Sequence, residues 1–346
     1  MKKLTGYMAG VNLGGWISQY RTLDHEHFKS FITEKDIRNI ASWGMDHIRV
    51  PIDYPVIEED SNPGVFLEKG FAYLDNSIEW AKKYGLNVVI DVHKAPGFSF
   101  DTPDKNTLFS DPKMQDRFAA IWKAIARRYQ AEGDNVLYEL LNEIVEPDST
   151  RWNPLANRLI KSIREEDTNH SIIVGGIQYN NVRALALMPI FDDPKIVYNF
   201  HMYEPHGLTH QRASWMPELR DLKKEIHYPS DIGIYLEVLR TFNREVMKEY
   251  EGFTRIDKEF LRHLIKPAID FIEKHDKPMY CGEYGVIDHV DMASRENWSG
   301  DLSDLLLEYG IGRAVWSYKG MSFTHIDKDG KPISERLVKA VSKVTL

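Results

Sequence analysis

The stretch NVLYELLNEIVEP, residues 135–147, runs through Val136, Leu137, Leu140 and Leu141 as if into a core and then delivers Asn142 and Glu143. A second apolar run, PMYCGEYG, ends on Glu283. An ionised carboxylate closing a buried run is costly unless it is paired, hydrogen-bonded or facing a cavity. A single instance reads as a solvated strand end, but here the pattern repeats. Arg49 in HIRVP, His93 in DVHKAPG, His201 and Tyr203 in YNFHMYEP, and Trp316 in VWSY stand at the ends of other apolar runs. Two carboxylates facing each other suit cleavage of a glycosidic bond, in which one protonates the leaving oxygen while the other attacks or stabilises the anomeric carbon. His93, His201 and the two glutamates could also ligate zinc. The chain has no H-E-x-x-H or comparable ligand spacing, however, and Arg49 is a poor neighbour for a cation. Neither a metal nor a cofactor is expected.

These residues converge only if the runs that carry them share one sheet. Eight short runs of strand-forming type recur along the chain: GVNLGGW, MDHIRVPI, LNVVIDVH, NVLYELLNE, HSIIVGG, KIVYNFHMY, PMYCGEYG and RAVWSY. Turns such as Trp43-Gly44, Tyr84-Gly85 and Tyr309-Gly310 precede several of them, where a helix C-terminus is expected. Between them lie amphipathic segments. TEKDIRNIASWG offers Thr33 as an N-cap, Asp36 three residues on, and Ile37, Ile40 and Ala41 at helical spacing. Strands alternating with helices predict a parallel sheet, and eight repeats predict an α/β fold of the closed (β/α)8 TIM-barrel type. GVNLGGW does not match the G-x-G-x-x-G fingerprint, which argues against a doubly wound dinucleotide fold. In a barrel the C-terminal strand ends open into one cavity, so Arg49, His93, Asn142, Glu143, His201, Tyr203, Glu283 and Trp316 would meet at one rim.

One interval exceeds a usual connection: about 75 residues separate Tyr203 from Lys277. KEFLRHLIKPAIDFIEKH reads as the crossover helix, bent near Pro267. The rest, about 205–257, is expected to be an inserted helical subdomain, with WMPELRDLKKEI and YLEVLRTFNREVMKEY as helices, within a single catalytic barrel spanning 1–346. An insertion there sits over the cavity, and its Trp215 is a candidate sugar platform.

Composition narrows the partners. A net charge of −8 disfavours a nucleic-acid partner. One cysteine, Cys281, precludes an internal disulfide. No segment approaches 18 consecutive apolar residues and the N-terminus lacks an apolar signal-peptide core, so neither membrane span nor leader is expected in the chain as given, and localisation stays open between cytoplasm and secretion with the signal absent. The chain is expected to act as a monomer on an oligo- or polysaccharide.

Over nearly its whole length the sequence resembles glycoside hydrolase family 5, in a clan of retaining (β/α)8 glycosidases. The resemblance rests on GVNLGGW, HIRVP, DVHKAPG, LLNE, YNFHMYEP, CGEYG and VWSY, and within the family on a clostridial endoglucanase type with a helical insertion after strand six. It implies a retaining endo-β-1,4-glucanase using Glu143 as acid/base and Glu283 as nucleophile. Asn142 would hydrogen-bond the sugar 2-hydroxyl, and His93 and His201 would line the cleaved bond. Trp316 would stack under the sugar that carries the anomeric carbon. Arg49 and Tyr203 would hold Glu283 ionised, lowering its pKa, while Glu143 would be raised toward the working pH. Ile144 departs from the Pro that many relatives have after Asn-Glu, and Lys94 stands where relatives can show a second His. A β-mannanase, an exo-β-1,3-glucanase and a catalytically silent carbohydrate-binding barrel are the rival readings.

Overall fold

The computed structural model describes residues 3–239 and 250–345. Eight strands, β1 (Gly10–Asn12), β2 (His47–Asp53), β3 (Asn87–Lys94), β4 (Val136–Glu139), β5 (Ile172–Gly175), β6 (Ile196–Met202), β7 (Met279–Tyr284) and β8 (Gly312–Val315), form a closed parallel barrel in sequence order. It closes where Gly10 and Val11 of β1 pair with Ala314 and Val315 of β8. This is the (β/α)8 architecture that the strand and helix rhythm predicts.

The strands are buried on both faces, as an all-parallel sheet requires, and β2 is buried at all seven positions. Helices wrap the outside. The helix Glu34–Ser42 begins at Thr33, whose N–H donates to the Asp36 carboxylate at 2.9 Å, and turns Ile37 and Ile40 inward. Gly44, Gly85 and Gly310 each stop a helix with positive φ, between 65° and 86°, a backbone state that glycine adopts without a Cβ clash. The long crossover after β6 breaks into Lys258–Leu264 and Lys266–His275 at Ile265, with Pro267 in the first turn of the second piece.

Alternation along the strands sorts the barrel interior into levels. Val89, Leu137, Ile173, Val197, Tyr280 and Ala314 join Tyr7 in an apolar plug at the N-terminal end. Two residues further along β3, β4 and β6 stand Asp91, Glu139 and Asn199, all buried. The next step on β3 and β6 reaches His93 and His201 at the mouth.

The segment between β6 and the crossover differs from its sequence reading. Of WMPELRDLKKEI only Pro217–Arg220 is helical, and the rest is turn and loop. Pro217 opens that turn, and the charged run Arg220–Glu225 offers few apolar residues to pack a longer helix. Of YLEVLRTFNREVMKEY, the helix Ile232–Leu239 covers the start; residues 240–249 lie outside the described residues. A two-stranded antiparallel ribbon, Ser230–Asp231 with Arg255–Ile256, ties the segment together. No helix among the described residues is long and apolar enough to cross a membrane.

Candidate active site

The C-terminal strand ends surround a cleft of about 900 Å³ whose lining includes His93, Asn142, Glu143, His201, Tyr203, Glu283, Trp316 and Trp215. Arg49 alone of the expected residues does not line it. It is the third of seven residues in β2, not the strand end, and lies fully buried beneath the cleft.

Below the floor, Arg49 satisfies all five of its N–H donors. Nε and Nη2 grip the two oxygens of Glu139 at 2.7 and 2.9 Å, and Nη2 also reaches Asn142 Oδ1 at 2.9 Å. Nη1 meets Asn12 Oδ1 and Glu283 Oε1, each at 2.8 Å. Asp91 lies 3.0 Å from Nη2, and its Oδ2 is 2.6 Å from His93 Nδ1. The guanidinium therefore fixes both the nucleophile candidate and Asn142, a task that suits its rigid fork.

Glu283, inside β7, has its second oxygen held by the Tyr203 hydroxyl at 3.0 Å. These partners were expected to bring its pKa below the usual carboxylate value. Burial instead outweighs the pull of His201 and Arg49, and with repulsion from Glu143 it pushes the Glu283 carboxyl up to about 7. Burial raises Tyr203 as well, which keeps its hydroxyl protonated as a donor.

Glu143 lies beyond the strand end. The β4 ladder stops at Glu139, and Leu140 to Glu143 continue as irregular backbone pinned by Leu140 N–H to Ile173 O and Asn142 N–H to Val92 O. At Glu143 φ is +39°, a conformation that L side chains rarely adopt, and such departures cluster at functional sites. Its side chain is 16% exposed and has no lysine or arginine in contact among the described residues; Oε1 is 3.0 Å from His201 Nδ1. Burial, only partly offset by Arg49, raises its carboxyl to about 8. His201 is pushed down to about 4 by burial and stays neutral.

One oxygen of Glu143, one of Glu283 and a His201 ring nitrogen lie within 4.8 Å of one another. The same trio has the composition of a metal-ligand set, yet Arg49 already engages Glu283 Oε1, and a fixed guanidinium there disfavours a second cation. Above the pair, Trp316 stacks on His93 with ring centroids 5.8 Å apart and planes 5° from parallel. Lys94 pairs with Asp101 at 2.5 Å, beside Phe100. Trp215 is 53% exposed at the rim, edge-on to His210.

Several residues at the site were not singled out from sequence. Asp91, Glu139, Asn12 and Asn199 form the layer under the floor. Their signal was present: Asp91 and Glu139 are charges inside apolar strands, one alternation step below the mouth. Tyr179 had no such signal. It is 47% exposed, lines the cleft, and sits in a run of three left-handed residues, Gln178 to Asn180, fastened by its N–H to Ile144 O at 3.0 Å.

The chain is similar to known proteins. The family described as Cellulase (glycosyl hydrolase family 5) matches residues 8–322. Endoglucanase C of Acetivibrio thermocellus is 46% identical over 341 residues, covering 98% of this chain and 99% of its own length. Cellodextrinase A of Ruminococcus flavefaciens is 36% identical, covering 90% and 86%. Among solved structures, Thermotoga maritima Cel5A in complex with cellobiose superposes with a TM-score of 0.77 over 98% of this chain and 100% of its own, at 22% identity, a likeness of fold.

Proposed function

Because the chain belongs to the cellulase family, glycosyl hydrolase family 5, we propose that it is a retaining endo-β-1,4-glucanase of soluble or mixed-linkage β-glucans, with Glu283 as nucleophile and Glu143 as acid/base. The observation that carries this reading is the carboxylate pair. One oxygen of each lies within 4.8 Å of the other, which favours the close spacing of roughly 5–5.5 Å between carboxyl groups in retaining enzymes over the ~6.5–9.5 Å that leaves room for an inverting water.

The surroundings of the two groups support the division of roles. Glu283 has one oxygen held by Arg49 and the other by Tyr203, whereas the Glu143 carboxyl meets only His201 among the described residues, so Glu283 is the one aimed and ionised. Its carboxylate attacks the anomeric carbon while the Glu143 acid passes its proton to the departing glycosidic oxygen. The covalent intermediate removes the Glu283 charge, which makes Glu143 more acidic and leaves it a carboxylate able to take a proton from water. That water attacks the anomeric carbon and releases Glu283. Asn142 is oriented by Arg49 to meet the sugar 2-hydroxyl, His93 and His201 line the bond being cleaved, and Trp316 offers its face to the sugar carrying the anomeric carbon. The segment 205–257 would be an inserted wall of a single barrel, with Trp215 as a platform for sugars on the leaving-group side.

The test is hydrolysis of barley β-glucan, carboxymethyl cellulose, mannan and laminarin with product analysis, and NMR of the first anomer formed. Cleavage of the first two with the β-anomer appearing first is expected. Action confined to mannan or laminarin overturns the substrate, and an α-anomer appearing first overturns the paired roles.

A further inference from the structure

The Arg49 guanidinium is gripped at its Nε and Nη2 edge by a carboxylate that no substrate can reach. Glu139 is fully buried, and besides the two contacts to Arg49 its Oε1 accepts from Asn199 Nδ2 at 2.8 Å. Asn199 is itself fixed, because its Oδ1 accepts from the N–H of Gly282, the residue before Glu283. A closed loop of hydrogen bonds thus runs from Glu283 through Arg49, Glu139 and Asn199 back to the backbone beside Glu283.

We propose that Glu139 is a positioning residue for the nucleophile: it sets the direction in which Arg49 meets Glu283, and its charge takes up part of the cation's field that would otherwise fall on Glu283. This rests on the reading of Glu283 as nucleophile. A guanidinium clamped along one edge can present only the remaining Nη1 toward β7, and Nη1 is the atom that contacts Glu283. The charge argument follows from the count of neighbours. Around Glu283 stand Arg49 from β2, Asp91 and behind it His93 from β3, Glu139 and Glu143 from β4 and its extension, His201 and Tyr203 from β6, and Cys281 on its own strand. Arg49 is the single permanent cation among them, and three carboxylates share it. Removing the Glu139 charge leaves more of that field for Glu283 and makes it more acidic.

Two variants separate direction from charge. Glu139→Gln keeps the shape but sets an amide N–H against an Arg49 N–H and deletes the charge. Glu139→Asp keeps the charge but cannot span both edges. Each is treated with an activated 2-deoxy-2-fluoro cellobioside, and the rate of covalent trapping and the labelled peptide are measured along with the pH dependence of kcat/KM on barley β-glucan. Trapping at Glu283 is expected in wild type and variants, slowed about 10- to 100-fold in both variants by the misdirected nucleophile. The acidic limb should move to lower pH in Glu139→Gln and stay in place in Glu139→Asp. If Glu139→Gln does not fold, the trapping rate of Glu139→Asp decides. Trapping within about twofold of wild type in every folded variant overturns the proposal, as does an acidic limb in Glu139→Gln that stays in place or rises. A wild-type label on a residue other than Glu283 overturns the nucleophile reading on which it rests, a distinguishable result.

Discussion

Replacing Tyr203 with Phe removes one atom from the site and should move the lower edge of the activity profile in a definite direction. The Tyr203 hydroxyl donates to Glu283 Oε2 at 3.0 Å, and Glu283 is buried while Tyr203 is half-buried. A hydrogen bond to a charged acceptor is worth about 1.5–3 kcal/mol, and one pKa unit corresponds to about 1.4 kcal/mol. The bond favours the ionised form, so losing it raises Glu283 from about 7 by roughly one to two units. Glu143, at about 8, must remain protonated for the first step. The pair titrates as a unit, and the working form has Glu283 ionised and Glu143 protonated. A rise of that size brings the lower edge up to the upper one and leaves a smaller share of the enzyme in that form at every pH. The variant should therefore lose activity even at its own optimum, with the profile narrowed from the acidic side and the optimum shifted upward. The assay is kcat/KM for release of reducing ends from barley β-glucan, measured from pH 4 to 10 in steps of about half a unit. An acidic limb that stays where it is, or moves down, refutes the assignment of Tyr203 as a donor to an ionised Glu283.

Glu143→Gln and Glu283→Gln should each abolish most activity without unfolding the protein. Azide should restore turnover of an activated aryl glycoside in small-residue variants, giving a β-azide at position 143 and an α-azide at 283 by product NMR; wild-type rates in either Gln variant would end the mechanism. Trp215→Ala should lower kcat/KM on polymeric glucan by on the order of tenfold, about 1.4 kcal/mol, and spare a small aryl cellobioside; equal losses on both, with a lower Tm, would assign the side chain to packing. Gly70→Ala should destabilise by about 1–3 kcal/mol or more in urea unfolding, because a Cβ there would lie 1.9 Å from the Val56 carbonyl oxygen where the helix Glu68–Lys83 crosses the loop after β2.

The barrel was legible because its signals are local and redundant. Eight apolar runs, a capping box at Thr33 and helix-stopping glycines point to the same topology. The mouth was legible for a related reason: a charged or aromatic side chain closing a buried strand has few other uses. What escaped was the layer beneath. Asp91 and Glu139 were visible as charges in apolar strands, but their meaning depends on Arg49 standing four residues before the end of its strand, a matter of register across strands. The same dependence explains the pKa of Glu283. Its partners could be inferred from sequence, whereas burial, the larger effect, is a property of the assembled barrel. The left-handed run that presents Tyr179 carries no glycine to announce it, and the longer helix foreseen in WMPELRDLKKEI rested on periodicity in a charged stretch that forms only the turn Pro217–Arg220.

The wiring of Arg49 also bears on how the molecule comes into being. Its partner Glu283 is 234 residues away in sequence, and Asn12, which shares the same Nη1, donates to Gly282 O and Ala314 O at separations of 270 and 302 residues. During synthesis the second, third and fourth strands emerge long before the seventh and eighth. Until those arrive, a guanidinium and its attendant carboxylates stand at an open edge, where water serves them better than a half-built interior. Only the last ring closure makes their burial favourable. With Glu283 as nucleophile, assembly of the reaction centre and completion of the cylinder would be one event, and a nascent or truncated polypeptide lacking the final strands would have nothing with which to cut a polysaccharide. Turnover becomes a direct gauge of the fraction of chains that have finished folding.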